Sequence, residues 1–223
     1  MVLNLSNIGD ENNLVNKTVQ VDDRPVYLQD LSTKDEQILR IPEAEFKILD
    51  WAILREMIIN NETGHLQRRP SDLRRYLEFS HRMREIYGSI RTFLLQERLN
   101  WRDNLNPIGT SFGNPSDWKI LWNDWPYGIE NCIVHLVVWT KFPLKMNCIT
   151  GELCPDAAHM VSHFVNTTFA DPLGTENVLW FKNFKSYCSV PDIEHFHVML
   201  LNPNLEFIHM ITAGDVPLYK RDL

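Results

Sequence analysis

The chain is 223 residues long, 44% hydrophobic and 23% charged, with 9 Gly and 12 Pro. That balance suits one globular domain with a sizeable core and excludes collagen, coiled coil and disorder throughout. A formal charge of −7 argues against broad binding to nucleic acid or to an acidic membrane surface.

Residues 1–40 are polar and acidic, with Gly9-Asp10-Glu11-Asn12-Asn13, Asp22-Asp23 and Lys34-Asp35-Glu36. They read as an N-terminal arm, partly disordered or draped over a single domain of residues 41–223. The first residues carry neither a basic stretch nor an apolar one of the kind a secretory signal needs. No apolar run approaches the ~20 residues that span a bilayer. The four cysteines (Cys132, Cys148, Cys154, Cys188) follow no disulfide pattern, so a reducing compartment, cytoplasmic or also nuclear, is expected.

From Ala44 to Asn60 the apolar positions Phe46, Leu49, Ile53, Leu54, Met57 and Ile58 follow helical spacing. Pro70-Ser71-Asp72 opens a second helix, capped by Ser71 or Asp72 and running to about Leu99, with Gly88 in its middle. Between His65 and Arg102 lie nine arginines and no lysine against four acids, a net of +5 that leaves −12 for the rest of the chain. Such an element reads either as the solvated face of a helix or as a place to hold a phosphate. Cys132 to Trp139 is apolar on both faces and β-branched, as in a central strand. Pro155 to Phe169 reads as a helix and Val178 to Phe181 as a short strand. His195–Leu201 and Leu205–Ile211 flank Asn202-Pro203-Asn204 as a hairpin. The order implies an α+β fold with a mainly antiparallel sheet and N-terminal helices packed against it.

In Glu194-His195-Phe196-His197-Val198-Met199 the two histidines are two apart and share one face of a strand. Side by side, they suit metal ligation, phosphate binding or nucleophilic catalysis, where two unrelated core histidines are the bland alternative. Trp122-Asn123-Asp124-Trp125-Pro126-Tyr127-Gly128, ahead of the strand that bears His135, reads as a stacking rim or as a rigid turn capping the core. Cys148, Cys154, His159 and His163 lack the tight cysteine pair of a zinc module, and no resident metal or cofactor is assigned. Dinucleotide-fold, P-loop, α/β-hydrolase and zincin signatures are absent from the sequence.

A set of motifs carries a resemblance: Leu66-x-x-Arg69-Pro70-Ser71, Tyr87-Gly88-Ser89, Leu99-Asn100-Trp101, Asn123-Asp124-Trp125-Pro126-Tyr127, His135-Leu-Val-Val-Trp139, Trp180-Phe181-Lys182-Asn183 and Ser189-Val-Pro-Asp-Ile-Glu-His-Phe-His197. In this order the chain resembles the fungal N-acetylglucosamine-induced protein family, a domain family without an agreed activity. That likeness implies a cytosolic or nuclear protein linked to amino-sugar metabolism. More distantly, Asn123, Pro126, Tyr127, His135, Asn183, Ser189, His195 and His197 fall in an order similar to the histidine-triad superfamily, whose middle histidine attacks the α-phosphate of a nucleotide. The chain departs where Met199 or Ile193 replaces the remaining histidine, so either His195 or His197 takes the middle place.

The expected ligand is a nucleotide or nucleotide sugar, with a regulatory role and residual phosphohydrolase or nucleotidyl-transfer activity. His195 and His197 are the catalytic candidates. Arg69, Asn123, Trp125, Tyr127, His135, Asn183 and Ser189 are the ligand-binding candidates, Arg69 because it stands at a helix entry where an anion is favoured. A metal-dependent enzyme using His195 and His197 with His135 or Glu194, and a non-catalytic protein-interaction module, are the alternatives.

Overall fold

The computed structural model describes residues 22–102, 104–147, 150, 152–183, 190 and 192–221. Of the expected arm, residues 22–40 fall within this range and they fold. Ser32 caps helix α1 (Thr33–Leu39) by accepting the Asp35 N–H. Leu28 and Ile38 are buried, and α1 packs on α3 (Pro70–Tyr87).

The helix expected from Ala44 is confined to α2 (Trp51–Ile59), because Asp50 accepts the Ile53 N–H and fixes the start there. Before it, Glu43–Glu45 form a single 3-10 turn, Phe46 is extended, and Leu49 bridges to Ile129. The second helix also differs from its expected form. Arg69 is the N-cap of α3 and Pro70 occupies the first turn, so neither Ser71 nor Asp72 caps it. Glu43 supplies the missing acceptor, taking the Ser71 N–H at 3.0 Å and the Ser71 hydroxyl at 2.8 Å. Gly88, at φ +76°, ends α3 in the left-handed region rather than sitting mid-helix. Ser89 then caps α4 (Ile90–Phe93), which widens into a π-helical turn at Leu94–Arg98.

Four strands form one antiparallel sheet in the order β1-β2-β4-β3: β1 (Trp118–Trp122), β2 (Ile133–Thr140), β3 (Val178–Phe181) and β4 (Glu194–Leu201). All eight residues of β2 are buried, which explains a sequence that is apolar except for His135 and Thr140. On one sheet face, Leu136, Val138, Phe196 and Val198 pack with Val161 and Phe164 of α5 (Pro155–Val165). A π-helical turn joins α5 to α6 (Asp171–Leu173). The opposite face is covered by α2 through Leu54 and Met199, and by α3 and α4 through Met83, Phe93, Val137 and Trp139. The fold is α+β, with the N-terminal helices on that second face.

The second limb of the expected hairpin is a helix, α7 (Leu205–Ile211). Asn204 accepts the Glu206 N–H, and Ile208 packs into the α5 side of the core. A segment this short fits either period, and the cap decides it.

Candidate functional site

The sheet register builds the site. Trp139 stands opposite His195, Val137 opposite His197, and His135 opposite Met199. Alternation therefore puts His135, His195 and His197 on the face beneath α3 and α4. There His195 and His197 border a cavity of about 360 Å³ whose walls also include Trp122, Asn123, Trp125, Tyr127, Trp139 and Asn183. The aromatic rim thus faces the histidine strand across a shared space. His135 joins it from behind, stacked under Tyr127 with ring centres 5.1 Å apart.

Hydrogen bonds link His135 and His197 to the amides on either side. Asn123 Oδ1 accepts the Trp125 N–H at 2.9 Å, so its amide nitrogen is the group that faces the His135 ring, 3.0 Å from Nε2 and 3.3 Å from Nδ1. His135 Nε2 lies 3.0 Å from His197 Nδ1, and one proton is shared across that contact, its donor set by the tautomers of the two rings. His197 Nε2 lies 3.2 Å from the Asn183 amide nitrogen, which also donates to the Tyr127 hydroxyl at 3.2 Å. Both nitrogens of His197 are occupied, and Phe181 stacks on its ring at 4.9 Å.

His195 differs. Its Nδ1 lies 2.7 Å from the Ile193 carbonyl, which only accepts, so Nδ1 carries the proton and Nε2 keeps its lone pair. Among the described residues nothing bonds that lone pair. Trp139 lies against the ring at 4.5 Å. Burial lowers the pKa of His195 to about 4 and that of His135 to about 3, and it drives His197 well below the usual imidazole range. The positive charges of Lys182 near His195 and of Arg68 near His135 push the same way. All three imidazoles are neutral at pH 7.

Arg69 does not reach the cavity. It turns outward to Glu43, with Nε 2.9 Å from the carboxylate. Its neighbour Arg68 lines the cavity instead. Arg68 Nε donates to the Trp125 carbonyl at 2.9 Å, and its guanidinium lies 4.3 Å from the Tyr76 ring centre and 5.8 Å from that of Tyr127. Among the described residues no carboxylate is paired with it. Both arginines were visible in the sequence, but which one turns inward depends on the backbone at the helix entry. Asn123, Trp125, Tyr127 and Asn183 line the cavity and His135 lies behind Tyr127, whereas Ser189 lies outside the described residues. Glu194 pairs with Lys182 at 2.9 Å.

Among the described residues no group of three or more His, Cys, Asp or Glu is placed to hold a metal ion. His135 and His197 spend their facing nitrogens on each other. Cys154 is the N-cap of α5, His159 and His163 border a separate shallow depression with Met160 and Phe164, and Cys148 lies outside the described residues. Among the described residues no helix is long and apolar enough to cross a membrane.

The model of the family DUF3605, described as a protein of unknown function, matches residues 50–201. N-acetylglucosamine-induced protein 1 of Candida albicans is 25% identical over 184 residues, covering 74% of this chain and 72% of that protein. An uncharacterized protein of Saccharomyces cerevisiae is 28% identical over 162 residues, covering 69% of this chain and 79% of its own. The crystal structure of HTC1 superposes with a TM-score of 0.60 at 22% identity, over 75% of this chain and 97% of that one, a likeness of fold.

Proposed function

Since the chain belongs to the DUF3605 family, whose description assigns no activity, the chemistry of the site has to speak for itself, and we propose that the cavity binds the phosphate of a nucleotide or nucleotide sugar and that His195 is its nucleophile. The observation that carries this is the 2.7 Å bond from His195 Nδ1–H to the Ile193 carbonyl, which leaves Nε2 unprotonated at the edge of the cavity. A lowered pKa keeps that lone pair free at neutral pH. Arg68 supplies fixed positive charge for the phosphate, and a volume of about 360 Å³ lies within the usual size of small-molecule sites.

In the reaction, the Nε2 lone pair forms a bond to phosphorus while the bond from phosphorus to the leaving oxygen breaks. The leaving group departs with that electron pair and takes a proton from solvent. Water then attacks the phosphohistidine, releases the phosphate product and restores His195. His197, held by His135 and Asn183, positions rather than attacks. The name of the Candida albicans relative favours a role in the response to amino-sugar supply, in the cytoplasm or also the nucleus. The metal-dependent alternative has less support, because His135 and His197 already satisfy each other.

The test is incubation of the purified chain with a panel of nucleotides and nucleotide sugars, followed by melting and by mass spectrometry for an acid-labile phosphohistidine. A ligand at 100 times its Kd raises stability by about 2.7 kcal/mol. His195→Gln is expected to keep binding and lose both adduct and turnover. An adduct on His197, or turnover undiminished in His195→Gln, refutes the assignment.

A further inference from the structure

Three residues that line this cavity each carry a buried polar atom that takes no part in the site as described: Thr63 Oγ1, Ser80 Oγ and Trp125 Nε1. Each is without a hydrogen-bond partner among the described residues, and their residues are only 3%, 1% and 6% exposed. They come from three different segments, namely the turn after α2, the inner face of α3 and the loop after β1. Thr63 and Ser80 stand on the helix side of the cavity, whereas His195 and His197 stand on its sheet side. Between them lies an aromatic wall, with Trp125 5.4 Å from Phe79 and 6.2 Å from Tyr76, ring centre to ring centre.

A buried hydroxyl or indole N–H with nothing to bond is a cost, and valine or alanine would fill the same places without it. Three such groups in one wall mean that their partners arrive from outside the chain. An indole N–H can only donate, so its partner is an acceptor, and the two hydroxyls serve as donor or acceptor as required. The positive charge of Arg68 is the share of the phosphate. The other charged groups of the lining are already engaged: Lys34 donates to the Gly64 and Leu66 carbonyls, Asp35 accepts from the Ser32 hydroxyl, and Asp124 accepts from Arg98, which leaves this arm its neutral groups.

We infer that the helix-side arm of the cavity is a subsite for a neutral ring bearing carbonyl or hydroxyl oxygens, with Trp125 Nε1–H donating to one of them, Ser80 and Thr63 completing the set, and the Tyr76–Phe79 wall taking the ring face. The subsite deepens the proposed function by naming the uncharged end of its ligand, and a nucleobase and a sugar both supply that chemistry.

The experiment titrates the full chain, Ser80→Ala and Thr63→Val calorimetrically with uridine, guanosine and N-acetylglucosamine, and separately with inorganic phosphate. Melting curves without ligand accompany each variant. At least one neutral compound is expected to bind, a nucleoside pointing to a base in the arm and N-acetylglucosamine to a sugar. Each variant should weaken it about three- to tenfold, leave phosphate binding unchanged and melt at or above the parent chain, since a group without a partner was removed. Neutral compounds that bind the variants as tightly as the parent, or no neutral compound binding at all, overturn the subsite. So do variants that melt well below the parent, which would make the hydroxyls structural. A parent chain that takes a neutral compound but no phosphate leaves the subsite standing and refutes the phosphate assignment instead.

Discussion

His195 and Arg68 are the two residues on which the proposed chemistry turns. Desolvation strips the proton from the imidazole, while the guanidinium of Arg68 rests on Tyr76 and Tyr127 rather than on a carboxylate. Two outcomes follow at this scale. Arg68→Met should weaken inorganic phosphate binding about ten- to a hundredfold, as expected for loss of a charged contact. Arg69→Met should leave that binding intact and shift stability by about 1 kcal/mol or less, because its ion pair with Glu43 is half-exposed. Equal losses in both variants would contradict the placement. The histidines also set a pH dependence. Their folded pKa values lie below the unfolded value near 6.5, so the unfolded chain takes up protons first as pH falls. Stability is therefore full above about pH 6.5 and declines through the range down to about 4 for His195 and about 3 for His135. Each contributes a loss of about 1.4 kcal/mol per pH unit within its range. Urea midpoints should hold from pH 7.5 to about 6.5 and fall from there to pH 5, and His135→Gln should flatten the fall.

Elements are legible in the sequence where one period dominates and a cap marks the boundary. The β2 run, α5 behind Pro155 and the paired histidines of β4 all meet that condition, which is why the heart of the site could be foreseen from Cys132–Trp139 and Glu194–Met199. The failures are also physical. Strand β1 hides because Trp118–Trp122 is short and has no clean alternation, with Trp118, Ile120 and Trp122 on one face and Leu121 beside Lys119 on the other. Helix α7 hides because Leu205, Phe207, His209 and Ile211 mimic a strand until Asn204 caps it. Gly88 gives the sharpest contrast. In the middle of a helix, Gly88→Ala would stabilise by about 1 kcal/mol. At φ +76°, with nothing within 4 Å of an added Cβ, the same change should instead destabilise by about 1 kcal/mol through the backbone alone. Gly88→Asn should cost less than alanine. Denaturant melts of the two variants read the sign directly.

At the scale of the whole molecule, the cavity is closed by a contact that no local pattern announces. Arg98, one arginine among nine in its stretch, is buried between two carboxylates. It bonds Asp124 at 2.9 and 2.8 Å and Asp215 at 2.7 and 2.9 Å. Asp124 also accepts the Leu218 N–H, and Asp215 the Trp122 N–H, so one guanidinium ties α4, the aromatic rim and the C-terminal segment into a single wall. Leu218 and Trp122 both line the cavity. Spacing along the chain cannot reveal such a closure, because the partners meet only after the sheet and the helices above it have formed. Among the described residues, Arg98→Met leaves the Asp124 carboxylate without its cation and Asp215 with Arg221 alone, at 3.3 Å, and it should destabilise by about 3–5 kcal/mol at pH 7.5. Burial already pushes the Asp124 carboxyl above its ordinary range, and without Arg98 it is pushed further. Protonation then relieves the variant as pH falls, so its deficit against the parent chain at the same pH should be smaller at pH 5 than at pH 7.5. A deficit independent of pH would mean that the loss comes from packing rather than from uncompensated charge. Adding Asp124→Asn and Asp215→Asn to Arg98→Met separates the two. Recovery of stability assigns the cost to the orphaned carboxylates, while no recovery assigns it to the hole left by the guanidinium.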